Sequence, residues 1–245
     1  MNLLSHTFAT TSANRAPYVA HCKLLELLPR GVFLTTLSGP SRPPRSGGKP
    51  ESLIILLHGR GSNGNDLIGL ADAISQHYPN TAFHGPNAPI QMGPSAFQWF
   101  EVNGEESREP GLQGVAPVIN EYIDNLLAQY GLPSAKCALI GFSQGTITSI
   151  HVAPRRTDQL AGVVGFSGAL FSGSSLADEL QSKPPFILIH GDEDLVLDSR
   201  ETEIATRRLE EAGVPVSMHI LPGLPHSIDQ RGLSLAVEFL NHVLA

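Results

Sequence analysis

Cysteine is scarce in this chain: Cys22 and Cys137 are the only two among 245 residues. Two thiols cannot build a disulfide framework, so a packed core must hold the fold, and a reducing compartment, the cytoplasm, is expected. Cys137 opens an apolar run and reads as a small core residue. Long hydrophobic runs are missing as well. None approaches the ~18 residues that a spanning helix requires, which argues against stable membrane insertion. Basic charge is missing where a nucleic-acid binder would carry it. The formal net charge is −7, yet residues 1–50 hold Arg15, Lys23, Arg30, Arg42, Arg45 and Lys49 against Glu26 alone. Everything beyond residue 50 is therefore strongly acidic, and no electrostatic footprint for nucleic acid exists there. Internal repeats and low-complexity tracts are also absent. With 41% hydrophobic and 16% charged residues, the remaining possibility is one ordinary globular domain with a full core.

Acids are nearly absent from the first 30 residues, MNLLSHTFATTSANRAPYVAHCKLLELLPR. Their Ser/Thr content is shared by organelle transit peptides, but no continuous apolar core marks a secretory signal. They read as an N-terminal extension (1–30) ahead of a domain over 31–245, with LLELL as a short amphipathic helix. SGPSRPPRSGGKP (38–50) reads as a loop. Beyond it, short unalternating apolar runs are each followed by a turn and an amphipathic stretch. The runs are LIILL (53–57), TAF (81–83), CALIGF (137–142), LAGVVGF (160–166), FILIH (186–190) and VSMHIL (216–221). Runs this short and continuous suit strands buried on both faces of a parallel sheet. Helices are expected near 65–77, 115–130, 144–152, 199–212 and 229–243, and GVFLTTL (31–37) as an antiparallel edge strand. The alternation predicts an α/β fold, a mostly parallel twisted sheet with helices on both faces. Ligands of such sheets bind at the carboxyl ends of the strands, so those loops are the ones to search.

Two glycine motifs compete there. Gly59, Gly61 and Gly64 spell G-x-G-x-x-G between a strand and a helix, the pattern of a dinucleotide site. Such a site also wants an acid about 20 residues on, and the segment His84–Pro89 has none. The phosphate-loop reading fails because Asn65 and Asp66 follow Gly64 where Lys and Ser/Thr are needed. The second motif, Gly141-Phe142-Ser143-Gln144-Gly145, is weak as a bare pattern but lies between the strand ALIGF and the helix TITSIHV. A strand-to-helix elbow presents its serine at the strand's carboxyl end, and glycines two residues to either side let neighbouring segments approach. Ser167, in GFSGA, also follows a strand, but Ala169 replaces the second glycine and no helix is evident after it. Ser167 is read as structural.

A serine hydroxyl is a poor nucleophile at neutral pH without a base, and the base needs an orienting acid. On this fold the order is Ser, then Asp or Glu, then His. FILIHGDEDLVLD supplies Asp192 and Asp194 just past a strand. Asp194 is preferred as the acid, with Asp192 the alternative, since Asp192 is better placed to hold the turn. A calcium loop would need a third ligand and a glycine that this segment lacks, and a solvated helix-capping cluster is the remaining alternative. VSMHILPGLPHSID puts His226 on a loop in third position, whereas His219 lies inside a strand and His190 at a strand end. The tetrahedral intermediate needs two N–H donors. The Gln144 amide follows the nucleophile and the Arg60 amide lies in the HGRG loop, which gives those glycines a purpose without any nucleotide.

LLHGRGSNGNDL, GPNAP, Trp99-Phe100, GFSQGT, FSGAL, HGDEDLVL and LPHSI occur here in the order of the phospholipase/carboxylesterase family. The chain resembles that family, α/β-hydrolases that include acyl-protein thioesterases and small bacterial carboxylesterases, over residues 33 to 245. The resemblance implies the α/β-hydrolase fold, Ser143 as nucleophile, Asp194 as acid, His226 as base, oxyanion donors at Arg60 and Gln144, no cofactor and no metal. There are departures. Arg60 stands where the thioesterases often have leucine, which a backbone donor tolerates but which alters the site mouth. Leu195 stands where proline commonly follows the acid.

Trp99 and Phe100 are candidates for the acyl-pocket wall, with the acidic segment EVNGEESREPGLQG (101–114) as a flap; the alternative is a core aromatic pair beside a solvated loop. Acidic residues at the site disfavour anionic lipid surfaces. The expected activity is a serine carboxylesterase acting on short- to medium-chain esters. The alternatives are thioester or lysophospholipid hydrolysis by the same triad, or a ligand-binding protein without turnover. The expected partner is a small ester, and a homodimer stays open.

Overall fold

The structure, a computed structural model, describes residues 36–171 and 176–245. Residues Thr35–Ala245 form one compact unit. LLELL and residues 31–35 of the expected strand GVFLTTL lie outside the described residues.

Seven strands make the main sheet: β1 (Ser41–Arg42), β2 (Ser52–Leu57), β3 (Thr81–His84), β6 (Cys137–Phe142), β7 (Gly162–Phe166), β8 (Phe186–Gly191) and β9 (Val216–Leu221). β4 (Ile90–Gly93) and β5 (Ala96–Gln98) form a separate antiparallel hairpin. The main sheet runs β1-β3-β2-β6-β7-β8-β9, and every pairing is parallel except β1 with β3. The antiparallel edge thus falls on Ser41–Arg42, inside the segment expected to be a loop. Two residues paired to His84 and Phe83 are too short to announce themselves by composition.

The helices are α1 (Gly64–Ile68), α2 (Leu70–Ile74), α3 (Arg108–Tyr130), α4 (Gln144–Val152), α5 (Leu176–Glu179), α6 (Arg200–Glu211) and α7 (Gln230–Val243). The period of two along β2 explains how they divide. Leu53, Ile55 and Leu57 pack in one core cluster with Ile123 of α3, Ile150 of α4 and Leu209 of α6. Ile54 and Leu56 point the other way, into a cluster with Leu67, Ile74 and Leu240 of α1, α2 and α7. All five β2 side chains are fully buried, each worth about 1.5–3 kcal/mol by transfer from water.

Three expectations are corrected. The helix expected over 65–77 is two short ones joined at Gly69. β9 is an edge strand with Ser217 and Met218 exposed, so it is not buried on both faces. The segment 101–114, expected as a flap or a solvated loop, is largely helical: a 3-10 turn covers Glu105–Ser107, and α3 begins at Arg108. Pro110 falls in the first turn of α3, where a helix has no use for its N–H, so proline does not stop it. Among the described residues, no helix is long and apolar enough to cross a membrane.

Candidate active site

β6 ends at Phe142 and α4 begins at Gln144, leaving Ser143 to make the whole turn. Its backbone has φ 53° and ψ −117°, a conformation that non-glycine residues rarely hold and that marks a sharp elbow. Its N–H donates to Phe166 O on β7 at 2.9 Å, and its carbonyl accepts from Ile147 N at 3.1 Å, starting α4. The flanking glycines are sterically required. A Cβ on Gly141 would lie 2.5 Å from Thr146 N, and one on Gly145 would overlap Leu57 O. Ser167 shares the left-handed backbone, with φ 49°, but is 1% exposed, and its Oγ has no partner among the described residues. Burial, rather than backbone, distinguishes the two serines.

The loop after β8 brings Asp194 under His226. Asp194 Oδ2 accepts from His226 Nδ1 at 2.6 Å, while Oδ1 accepts from the Val196 and Leu197 amides, both at 2.9 Å. Burial pushes the Asp194 carboxyl up. The hydrogen bonds from the Leu197 amide, His226 and the Val196 amide more than offset this and hold it below the ordinary aspartate range. Asp192 does not reach His226. Its Oδ1 accepts from Gly223 N at 2.7 Å, tying the β8 loop to the loop that carries His226. Leu195, at the position where proline was expected, is 99% exposed. The His226 ring rests on Phe142, centroids 4.9 Å apart, which sets it beside the elbow.

His190 has a part that its strand-end position did not reveal. It is fully buried, and its Nε2 lies 3.0 Å from Asp194 Oδ2 and 2.9 Å from Leu197 O. Both neighbours are acceptors, so Nε2 carries a proton. The other nitrogen meets Thr202 Oγ1 at 2.7 Å, and that hydroxyl donates to Gly168 O. The carboxylate thus sits among four N–H groups.

The loop after β2 is pinned to the hairpin from both sides. Gly61 N donates to Phe97 O at 2.8 Å, Phe97 N to Ser62 O at 2.9 Å, and Arg60 Nε to Gln98 Oε1 at 3.1 Å. Beneath the loop, the Trp99 indole N–H donates to His58 O at 2.8 Å. The His58 Nε2 accepts from Ala88 N at 3.0 Å, so His58 is neutral with its proton on Nδ1, directed at Gly59 O. Burial lowers its pKa and outweighs the upward pushes of the Gly59 carbonyl and the Asp66 charge. Gln144 closes the network. Its side chain accepts from Trp99 N and donates to Phe100 O, both at 2.8 Å. The Arg60 and Gln144 amides have no hydrogen-bond partner among the described residues.

Ser143, His226, Arg60, Gln144 and Phe100 all border one cavity of about 660 Å³, a usual size for a small-molecule site. Leu67, Leu70, Phe142, Ile147 and Ile228 supply its apolar wall. Trp99, expected to wall the pocket beside Phe100, is not among the lining residues; its indole is used up beneath the loop. Among the described residues, no cluster of three or more His, Cys, Asp or Glu side chains could hold a metal ion.

The phospholipase/carboxylesterase family model matches residues 45–244. The chain belongs to that family. Esterase YpfH of Escherichia coli is 28% identical over 197 residues, covering 79% of this chain and 84% of that one. Acyl-protein thioesterase 1 homolog 1 of Dictyostelium discoideum is 26% identical over 206 residues, with 79% and 91% covered. The crystal structure of esterase PE8 superposes with a TM-score of 0.81 at 37% identity, over 85% of this chain and all of that one. The fold is the α/β-hydrolase fold of this family, and the protein is a serine hydrolase of the carboxylic ester hydrolase type.

Proposed function

We propose that this phospholipase/carboxylesterase family member is a serine carboxylesterase that cleaves short- to medium-chain esters through an acyl-enzyme on Ser143. The observation that carries the reading is the 2.6 Å hydrogen bond from His226 Nδ1 to the buried Asp194, at a cavity that Ser143 also borders. With Nδ1 so engaged, the unprotonated Nε2 is the nitrogen that takes the Ser143 proton as Oγ attacks the ester carbonyl. The Arg60 and Gln144 amides receive the oxyanion of the tetrahedral intermediate. The intermediate collapses, His226 passes its proton to the departing alkoxide, and the alcohol leaves. Water, deprotonated by the same nitrogen, then attacks the acyl-enzyme and releases the carboxylic acid, and the proton returns to Ser143. Asp194 holds the imidazole in the required tautomer and stabilises the imidazolium of each step. Phe100 and the apolar wall receive the acyl chain.

Within the same reading, residues 31–245 are the catalytic domain and 1–30 an extension, and the enzyme works in the cytoplasm, where the free buried thiol of Cys137 stays reduced. The test is hydrolysis of p-nitrophenyl esters from acetate to palmitate by wild type, Ser143→Ala and His226→Ala. A matching acyl thioester is run beside each ester, because two kinds of relative bear esterase and thioesterase names. Wild type should peak at short to medium chains and prefer the oxygen ester. Both variants should lose at least ~10³-fold in kcat. Full activity in Ser143→Ala would end the proposal, and a preference for the thioester would transfer it to thioester hydrolysis.

A further inference from the structure

The cavity beside Ser143 is bordered by two arginines whose side chains hydrolysis of a neutral ester does not use. Arg108 is the first residue of α3 and borders the cavity, with its Cζ 4.4 Å from the centre of the Phe171 ring, which borders it too. Its Nε is buried and has no partner among the described residues. The carboxylate nearest it, Glu105, is 3.9 Å away, and that side chain is 89% exposed. Arg60 has no carboxylate partner among the described residues; its Nε donates to the neutral amide oxygen of Gln98. Asp66 is the one acidic residue among the described lining residues, and its Oδ2 already accepts from Ser62 Oγ and Asn63 Nδ2. The described lining residues therefore carry two cations against one anion, in a chain of net charge −7.

Lining an apolar pocket with a partly desolvated, poorly paired cation opposes the binding of a neutral acyl chain. It favours a ligand that brings a compensating anion. The Phe171 ring holds the Arg108 guanidinium through a cation–π contact, Cζ 4.4 Å from the ring centre, and the planar fork of a guanidinium matches a carboxylate or phosphate with two parallel N–H donors. From these observations we infer that the substrate is an ester carrying a second, anionic group remote from its reacting carbonyl, with Arg108 as the residue that binds the anion and Arg60 adding to the field. A dicarboxylic acid half-ester has this chemistry. The inference rests on the esterase reading above and specifies the substrate of that same site.

The experiment compares monomethyl glutarate, adipate and suberate with their neutral ω-amide counterparts, following methanol release by wild type, Arg108→Gln and Arg108→Lys. An ω-phosphate methyl ester of the best length distinguishes carboxylate from phosphate as the anion. Wild type should favour the best anionic ester over its amide by about tenfold or more in kcat/KM. Arg108→Gln should lower that ratio by ~10–100-fold, and Arg108→Lys, which keeps the charge but not the fork, should fall between. High salt should shrink the wild-type preference. A wild-type ratio at or below one overturns the inference whether or not a variant folds, as does an Arg108→Gln enzyme with the wild-type ratio. If wild type cleaves neither ester of any pair but hydrolyses p-nitrophenyl esters, the inference alone fails; if it hydrolyses neither kind, the esterase reading fails and the inference goes with it, a result independent of position 108.

Discussion

At the scale of single residues, the two aspartates after β8 make the sharpest contrast. They are two positions apart in HGDED, and composition cannot assign them, because both follow the strand and both suit a turn. Geometry separates them: Asp194 receives His226 Nδ1, and Asp192 receives Gly223 N. Asp194→Asn should lower kcat by ~10³–10⁴ with little change in KM, since an amide here favours the wrong imidazole tautomer. Asp192→Asn keeps an oxygen that still accepts from Gly223 N, and should stay within about tenfold of wild type. Steady-state kinetics on one p-nitrophenyl ester checks both, and the reverse pattern would move the acid to Asp192. His190 belongs to the same scale. Its position at a strand end suggested nothing, because its partners, Asp194, Leu197 and Thr202, come from the following loop and from α6.

Elements make the site by where they stop. The four short apolar runs of β2, β6, β7 and β8 were readable because strands covered on both faces need continuous Leu, Ile and Val, and their loops had to meet at one end. The start of α3 was not readable, since EESREPG has the composition of a loop, yet α3 begins within it at Arg108, beside the cavity. The expectation of a pocket wall at Trp99-Phe100 half missed for a related reason. Both residues are buried in the bend after β5, and nothing local says which one meets the cavity. The link between α4 and the hairpin was also hidden, because Gln144 reaches partners some 45 residues away. Gln144→Ala would keep the backbone amide but leave Trp99 N–H and Phe100 O buried without partners. At ~1–3 kcal/mol for each group, urea unfolding should report a loss of about 2–6 kcal/mol. A fall in kcat should accompany it as the loop carrying Arg60 loosens from α4. Wild-type stability in Gln144→Ala would mean that the hairpin is held by packing alone.

The whole molecule carries several imidazoles that folding keeps neutral, and this sets its response to acid. Burial lowers the His84 pKa to about 4; its ring nitrogens meet the Tyr130 and Tyr122 hydroxyls at 2.8 and 3.4 Å, between β3 and α3. Burial also lowers His151 of α4 to about 4, helped by the charge of Arg155 beside it. His58 is shifted the same way beneath the loop carrying Arg60. In the unfolded chain these groups titrate near the ordinary value of 6.5. Between about 6.5 and 4 the unfolded state therefore binds more protons than the folded one, and stability rises with pH across that window. Their stabilisation is complete above pH 6.5 and is lost as pH falls toward 4. Asp194 acts lower down: its folded pKa lies below 3.8, so its contribution is intact through this window and is lost only in stronger acid. Thermal unfolding followed from pH 8 to 4 should show a midpoint that is flat above 6.5 and falls steadily beneath it. His84→Gln with His151→Gln removes two of the titrating groups and should flatten the fall, leaving the share that belongs to His58. A wild-type midpoint indifferent to pH through the window would mean that these imidazoles are not held neutral by burial.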